Sequence, residues 1–207
     1  MEELKEKIIT SATSLFRKKG CKRVTMDEVS SAMGISKRTL YEEFDTKEAL
    51  IIACMQHLGK KIELHLSEHE GENISPLFRT YYIGHVLGTF GRQYALMLED
   101  LQKYYPSIFS CHFNHSFEQH IEHMEKWLTV AQEKNYLHKD VNIHLSAQVI
   151  AYCTNWLHNN EAFSNQERTD TNAEFMCNYI RGLMSVEAIA DFESKREEYT
   201  KVVNIEL

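Results

Sequence analysis

Apolar residues return along the chain at intervals of three and four, and polar breaks divide them into helices. Leu4, Ile8, Ala12, Leu15 and Phe16 share one face of a first helix, which the basic turn Arg17, Lys18, Lys19 and then Gly20 bring to an end. Cations in a last turn complement the partial negative charge of a helix C-terminus. Thr25 opens a second helix: Thr25 and Glu28 have the spacing of a capping box, Val29, Ala32 and Met33 form its inner side, and Gly34 closes it. Ser36 caps a very short third helix through Phe44, with Leu40 and Phe44 spaced to face inward. A fourth opens in "DTKEAL" with Asp45 as its cap, and Leu50, Met55, Leu58, Ile62 and Leu66 carry it to about residue 68, where "SEHEGEN" breaks the pattern.

From Ser75 onward the same spacing predicts helices over about 76–90, 92–104, 106–134, 142–159 and 170–190. Pro106 restricts Tyr105 and restarts the chain, "KNYLHKD" reads as a polar turn, and "NNEAFSNQERTDTN" is too polar for a buried element. With only eight Gly and two Pro in 207 residues, turn punctuation is too sparse for a many-stranded sheet. The expected fold is all-α: a three-helix N-terminal domain over residues 1–48 and a larger helical domain over 49–207.

Charge changes the picture. Residues 1 to 50 hold ten Lys/Arg against nine Asp/Glu, and the remainder thirteen against twenty-one, so a head of about +1 sits on a body of −8. Such asymmetry is a cue for an anionic partner met at one end of the molecule. The five cysteines are scattered and lack C-x-x-C spacing, which suits a reducing cytoplasm better than a disulfide framework. No run of about 18 apolar residues suggests a membrane span, and the charged N-terminus does not resemble a signal peptide. The expectation is a cytoplasmic protein without membrane contact.

Three short helices with a Gly-containing turn between the second and third make a helix-turn-helix. Lys37, Arg38 and Thr39 stand in the first turn of the third helix, where such motifs meet base edges, and an Arg there suits the N7 and O6 of guanine. Ser36, which caps that helix, is counted with them among the expected DNA contacts. The Tyr41 hydroxyl can donate to a phosphate, and Thr25 and Lys47 sit at helix N-termini, whose N–H groups favour anions.

The stretch "GCKRVTMDEVSSAMGISKRTLYEEFDTKEALI" resembles the DNA-binding signature of TetR-type transcriptional regulators. "AMGIS", "TLYEEF" and "KEAL" carry the resemblance, which spans about residues 5 to 52. It implies that Thr25, Lys37, Arg38, Thr39, Tyr41 and Lys47 meet DNA. One departure is Glu42-Glu43, where relatives often carry aromatic or His residues. Carboxylates there repel phosphates, although Glu43 can also accept from a cytosine amino group.

One head buries little DNA, so specific binding calls for two heads about 34–36 Å apart on a palindromic duplex, and hence a homodimer. The resemblance implies that the last two long helices pair with their mates. Leu145, Val149, Tyr152 and Trp156 on one, with Phe175, Tyr179, Leu183 and Val186 on the other, give the stripes for it. The middle helices are rich in large amphipathic side chains. Tyr81, Tyr82, His85, Tyr105, Phe109, Phe113 and Trp127, with Tyr152, are the candidates to line a site for a small apolar or amphipathic ligand. In the mechanism implied by the resemblance, that ligand prefers a body conformation with wrongly spaced heads and so releases a repressor from its operator.

Cys111, His112, His115, His120 and His123 invite a metal reading, but the histidines lie opposite the apolar face Phe113, Phe117, Ile121, Met124 and Leu128 and read as a solvated side. No metal and no cofactor is expected. No Gly-x-Ser-x-Gly, His-Glu-x-x-His or phosphate-cradling loop supports an enzyme. The alternative to a ligand-released repressor is a DNA-binding protein of the same fold without an effector, acting architecturally or through a protein partner.

Overall fold

A computed structural model describes residues 2–67, 76–160, 162–163 and 165–202. Its elements are α1 (Glu2–Lys19), α2 (Met26–Met33), α3 (Lys37–Glu43), α4 (Lys47–Ser67), α5 (Pro76–Gln93), α6 (Ala95–Tyr104), α7 (Pro106–Glu133), α8 (Ile143–Asn159), α9 (Asn165–Leu183) and α10 (Val186–Val202). The all-α class expected from the sequence is the one observed. A single antiparallel bridge joins Leu137 to Met184 among the described residues.

These helices form two compact units. One takes the chain up to Glu63 together with Gln93–Phe113; the other takes Leu64–Arg92 and the chain from Asn114 onward. In the first, Ile8, Ala12 and Phe16 of α1, Leu40 of α3, Leu50, Ile51 and Cys54 of α4, and Met97 and Leu101 of α6 are all completely buried. Each large apolar side chain so buried contributes about 1.5–3 kcal/mol. α6 packs on α1, as does α2, and α3 packs on α2. The packing unit that holds the head therefore runs past residue 48: the burial of α4 belongs to it, and α6 returns to it from further along the chain.

The core of the second unit gathers Ile83, Met124, Trp127, Leu128, Ala131, Leu137, Ala147, Ile150, Met176, Ile180, Met184 and Ala188. Its last part departs from the expected single helix over 170–190. α9 starts earlier, at Asn165, inside the stretch read as too polar, and ends at Leu183. The break has a non-local cause. Ser185 donates its N–H to Tyr136 O at 2.9 Å, His138 donates to Leu183 O at 3.0 Å, and the Ser185 hydroxyl accepts from Ala188 N at 3.3 Å as the cap of α10.

The start of α4 also differs by one residue. Thr46, not Asp45, caps it: its hydroxyl accepts from Ala49 N at 3.0 Å. Asn142 caps α8 in the same way, through Leu145 N at 3.0 Å.

Candidate nucleic-acid interface

The backbone of residues 25–44 is set by local rules. Thr25 Oγ1 accepts from Glu28 N at 3.2 Å, so half of the expected capping box forms. The Glu28 carboxylate does not reciprocate; it is hydrogen-bonded by Lys19, which holds its carboxyl below the usual range. α2 closes on Gly34 at φ 66, with Gly34 N donating to Ser31 O at 3.2 Å and Ile35 N to Ser30 O at 3.1 Å, a Schellman closure that needs a residue at ease in the left-handed region. Ser36 then caps α3, its Oγ accepting from Thr39 N at 3.1 Å and sharing a 2.8 Å hydrogen bond with the Thr39 hydroxyl.

Leu40 and Phe44 fix which way α3 faces. With both buried, the helix presents Lys37, Arg38 and Tyr41 outward, Arg38 with 89% of its side chain exposed and Tyr41 with 46%. Thr25 and Ser36 are exposed beside them, and Thr39 is half-buried. Each cation already has a carboxylate. Lys37 Nζ lies 2.5 Å from Asp27 Oδ2, and Arg38 Nε lies 2.9 Å from Glu42 Oε1.

The turn from α1 into α2 is held to α6. Gly20 has φ 79, and a Cβ placed on it would stand 2.2 Å from Asp100 Oδ2. That oxygen accepts the backbone N–H of Lys22 at 2.8 Å. The Lys22 ammonium lies 3.8 Å from the Tyr104 ring centroid and, by hydrogen bonding, holds the Tyr104 phenol below its usual range. Lys47 donates to Lys22 O at 3.2 Å. Burial lowers the Lys47 pKa from the ordinary lysine value, so this residue props the turn as well as standing at the N-terminus of α4. Cys21, inside the turn, has its thiol pushed up to about 12 by burial, with the Asp100 charge adding to the effect.

The residues proposed from sequence for the body divide between surfaces. Tyr82 is buried and donates its hydroxyl to His65 O at 3.0 Å, and Trp127 is buried with the Arg79 guanidinium 6.0 Å from its ring. Tyr105 and Phe109 are half-buried and belong to the first unit. The side chains of Tyr81, His85 and Phe113, and of His112, His115, His120 and His123, lie outside the described residues. Tyr152 is 59% exposed, on the same face of α8 as Leu145 at 55% and Trp156 at 60%, with Val149 half-buried between them. Phe175 and Tyr179 stack at 5.7 Å and, with Leu183, lie half-buried against the core of the second unit. Val186, 73% exposed, opens α10.

The carboxylate partners Asp27 and Glu42, and the Asp100 anchor, were not among the sequence candidates. Arg38 and Glu42 at i, i+4 carried a legible signal. Asp100, 78 residues from Lys22, carried none.

Residues 8–54 match the family of bacterial regulatory proteins of the tetR type. Over 60 residues the chain is 45% identical to an uncharacterized HTH-type transcriptional regulator, YerO, of Bacillus subtilis, across 28% of this chain and 21% of that protein. Over 63 residues it is 33% identical to the biofilm operon icaADBC HTH-type negative transcriptional regulator IcaR of Staphylococcus aureus, across 28% of this chain and 34% of that one. The chain thus spans about a fifth to a third of the length of these curated relatives. Among solved structures, a transcriptional regulator from Cytophaga hutchinsonii superposes with a TM-score of 0.74 at 18% identity, covering 87% of this chain and 98% of that one. A TetR transcription regulator from Haloarcula marismortui gives 0.73 at 14% identity, covering 89% and 100%. At such identities the likeness is one of fold, and it extends through both units. By sequence and geometry, residues 8–54 thus form a helix-turn-helix domain of the tetR family of bacterial regulatory proteins.

Proposed function

We propose that this chain is a sequence-specific DNA-binding transcriptional repressor that works as a homodimer on a palindromic operator in the cytoplasm. The observation that carries the reading is α3: a helix of seven residues, locked by buried Leu40 and Phe44, that offers Lys37, Arg38 and Tyr41 to a partner. A helix so held can enter a major groove with its first turn against base edges. Thr25, Ser36, Thr39 and Lys47 flank it, where hydroxyls, amide N–H groups and an ammonium fix register on phosphates.

The second copy docks on the exposed face of α8, where Leu145, Tyr152 and Trp156 stand outward with Val149 between them, and α9 contributes Phe175, Tyr179 and Leu183. An apolar stripe of that kind on a water-facing helix supports pairing. A small amphipathic ligand is received in the second unit near buried Tyr82 and Trp127, with the Arg79 guanidinium as a polar handle. Among the described residues no helix is long and apolar enough to cross a membrane.

Fluorescence anisotropy of labelled duplexes across a salt series tests the DNA reading. The expected result is tight binding of a palindrome and log K that falls linearly with log salt concentration. Binding absent at low salt, by protein that is folded and dimeric, overturns it.

A further inference from the structure

The segment Met26–Glu43, which holds α2, the turn and α3, contains two basic residues, Lys37 and Arg38, against four acidic ones, Asp27, Glu28, Glu42 and Glu43, a net charge of −2. A motif that must approach a polyanion is itself negative. Moreover, its two cations are not at large. Lys37 is paired with Asp27 across the turn at 2.5 Å, and Arg38 with Glu42 one helical turn on at 2.9 Å. Both carboxylates are open to water, with 57% and 60% of their side chains exposed, so neither is present to neutralise a buried charge.

We propose that Asp27 and Glu42 are specificity-determining residues: by holding Lys37 and Arg38 in ion pairs they keep the reading helix from gripping arbitrary DNA while leaving donors on both cations for the right base edges. The inference rests on α3 being the DNA-reading helix. An exposed ion pair is worth a factor of about five or less in an equilibrium constant, so it opens readily. Exchanging it for one screened phosphate contact returns a similar factor and leaves a carboxylate near the phosphates, so binding to random sequence gains nothing. At a guanine the pair need not open: Glu42 holds Arg38 by Nε and leaves both Nη groups for the N7 and O6, and the bidentate contact returns about 5- to 150-fold against the wrong base. On random sequence the carboxylates only cancel charge, whereas at the right base edge they also orient the cations, so they subtract more from non-specific than from specific binding. Attraction to the backbone is left to cations outside the motif, such as Lys18, Lys22 and Arg23, all exposed.

The test uses the full chain and its Glu42→Gln and Asp27→Asn variants, with Glu3→Gln as control. Glu3 is 83% exposed and pairs with Lys7 on α1, so its loss removes the same charge and the same kind of pair away from α3. Each protein is titrated against the duplex that the unaltered chain enriches from a random library, and against a scrambled duplex of equal length, over a salt series. The expected result for Glu42→Gln and Asp27→Asn is about a three- to tenfold gain on the scrambled duplex at low salt, with a salt slope steeper by about one. Affinity for the enriched duplex moves less than about twofold, so the ratio of the two falls. An unchanged ratio, or an equal fall in Glu3→Gln, overturns the proposal and leaves the DNA reading standing. If the unaltered protein enriches no sequence and shows no salt dependence, the DNA reading fails, and the proposal with it.

Discussion

Replacing Gly20 with Ala sets two costs against the fold at one position. Gly20 has φ 79, and an L-residue with a Cβ in the left-handed region is destabilised by about 1–2 kcal/mol. The added Cβ also meets Asp100 Oδ2 at 2.2 Å and Asp100 Cγ at 3.0 Å, so the carboxylate must withdraw. It then gives up the 2.8 Å hydrogen bond from Lys22 N. A bond to a charged acceptor contributes about 1.5–3 kcal/mol, and the lower end applies because the contact is partly open to water. Together the two effects come to about 3 kcal/mol, a large share of the 5–15 kcal/mol that typically holds a domain together. Urea unfolding followed by far-UV circular dichroism measures it, and the Asp100→Ala background separates the parts. With the carboxylate gone, Gly20→Ala should cost only the backbone term, so the double variant should be more stable by at least about 1 kcal/mol than the sum of the singles predicts. A Gly20→Ala cost below about 0.5 kcal/mol, or strict additivity in the double variant, refutes the reasoning.

Arg38→Ala should relax sequence preference by about 1–3 kcal/mol at one base pair, whereas Lys47→Ala should weaken binding evenly across sequences. Because Lys47 also donates to Lys22 O at 3.2 Å, its loss should lower the unfolding midpoint too, which Arg38→Ala should not; titrations on matched and mismatched duplexes, with unfolding curves, check both. Trp156→Glu places a charge on a side chain that is 60% exposed in the single chain, so it should leave folding intact and split the dimer, read as halved mass in sedimentation and at least about tenfold weaker operator binding. Cys21 and Cys54, both completely buried with thiols pushed up to about 12 chiefly by burial, should resist alkylation at pH 8 while exposed Cys111 reacts, as peptide mass analysis will show. Their folded pKa lies above the unfolded value of 9.0, so the stability linked to them is intact below pH 9 and drains away as pH rises towards about 12; a urea midpoint that is flat across that window contradicts the assignment.

The head was legible in the sequence because local signals settle it. Thr25, Gly34 and Ser36 act within four residues of themselves, and the spacing of Leu40 and Phe44 settles which side of α3 faces out. The break between α9 and α10 was not legible, since Ser185 stops the helix through Tyr136 and Asn135, about 50 residues away. The start of α9 was missed for a different reason. Its first turns carry "NQERTD", polar residues that read as loop, and the inward stripe begins only at Asn172 and Met176. In the candidate site, the outward cations were visible as residue types in a helix-turn-helix, but the Lys37–Asp27 pair crosses a turn and needed the fold to bring it together. Tyr152 illustrates the ambiguity of an aromatic on an amphipathic helix: its spacing suited both a ligand site and a pairing face, and its 59% exposure places it on the outer face of α8 with Trp156.

The central claim is that two copies of this chain read DNA together through α3. Selection of bound sequences from a random duplex library, with the purified full chain at a stated salt concentration, tests it most directly. The expected result is an enriched palindrome whose half-sites lie about one helical turn apart, roughly 34–36 Å, and whose preference at one base pair of each half-site is relaxed in Arg38→Ala. A folded, dimeric protein that enriches no sequence, or that enriches one equally well without Arg38, contradicts it.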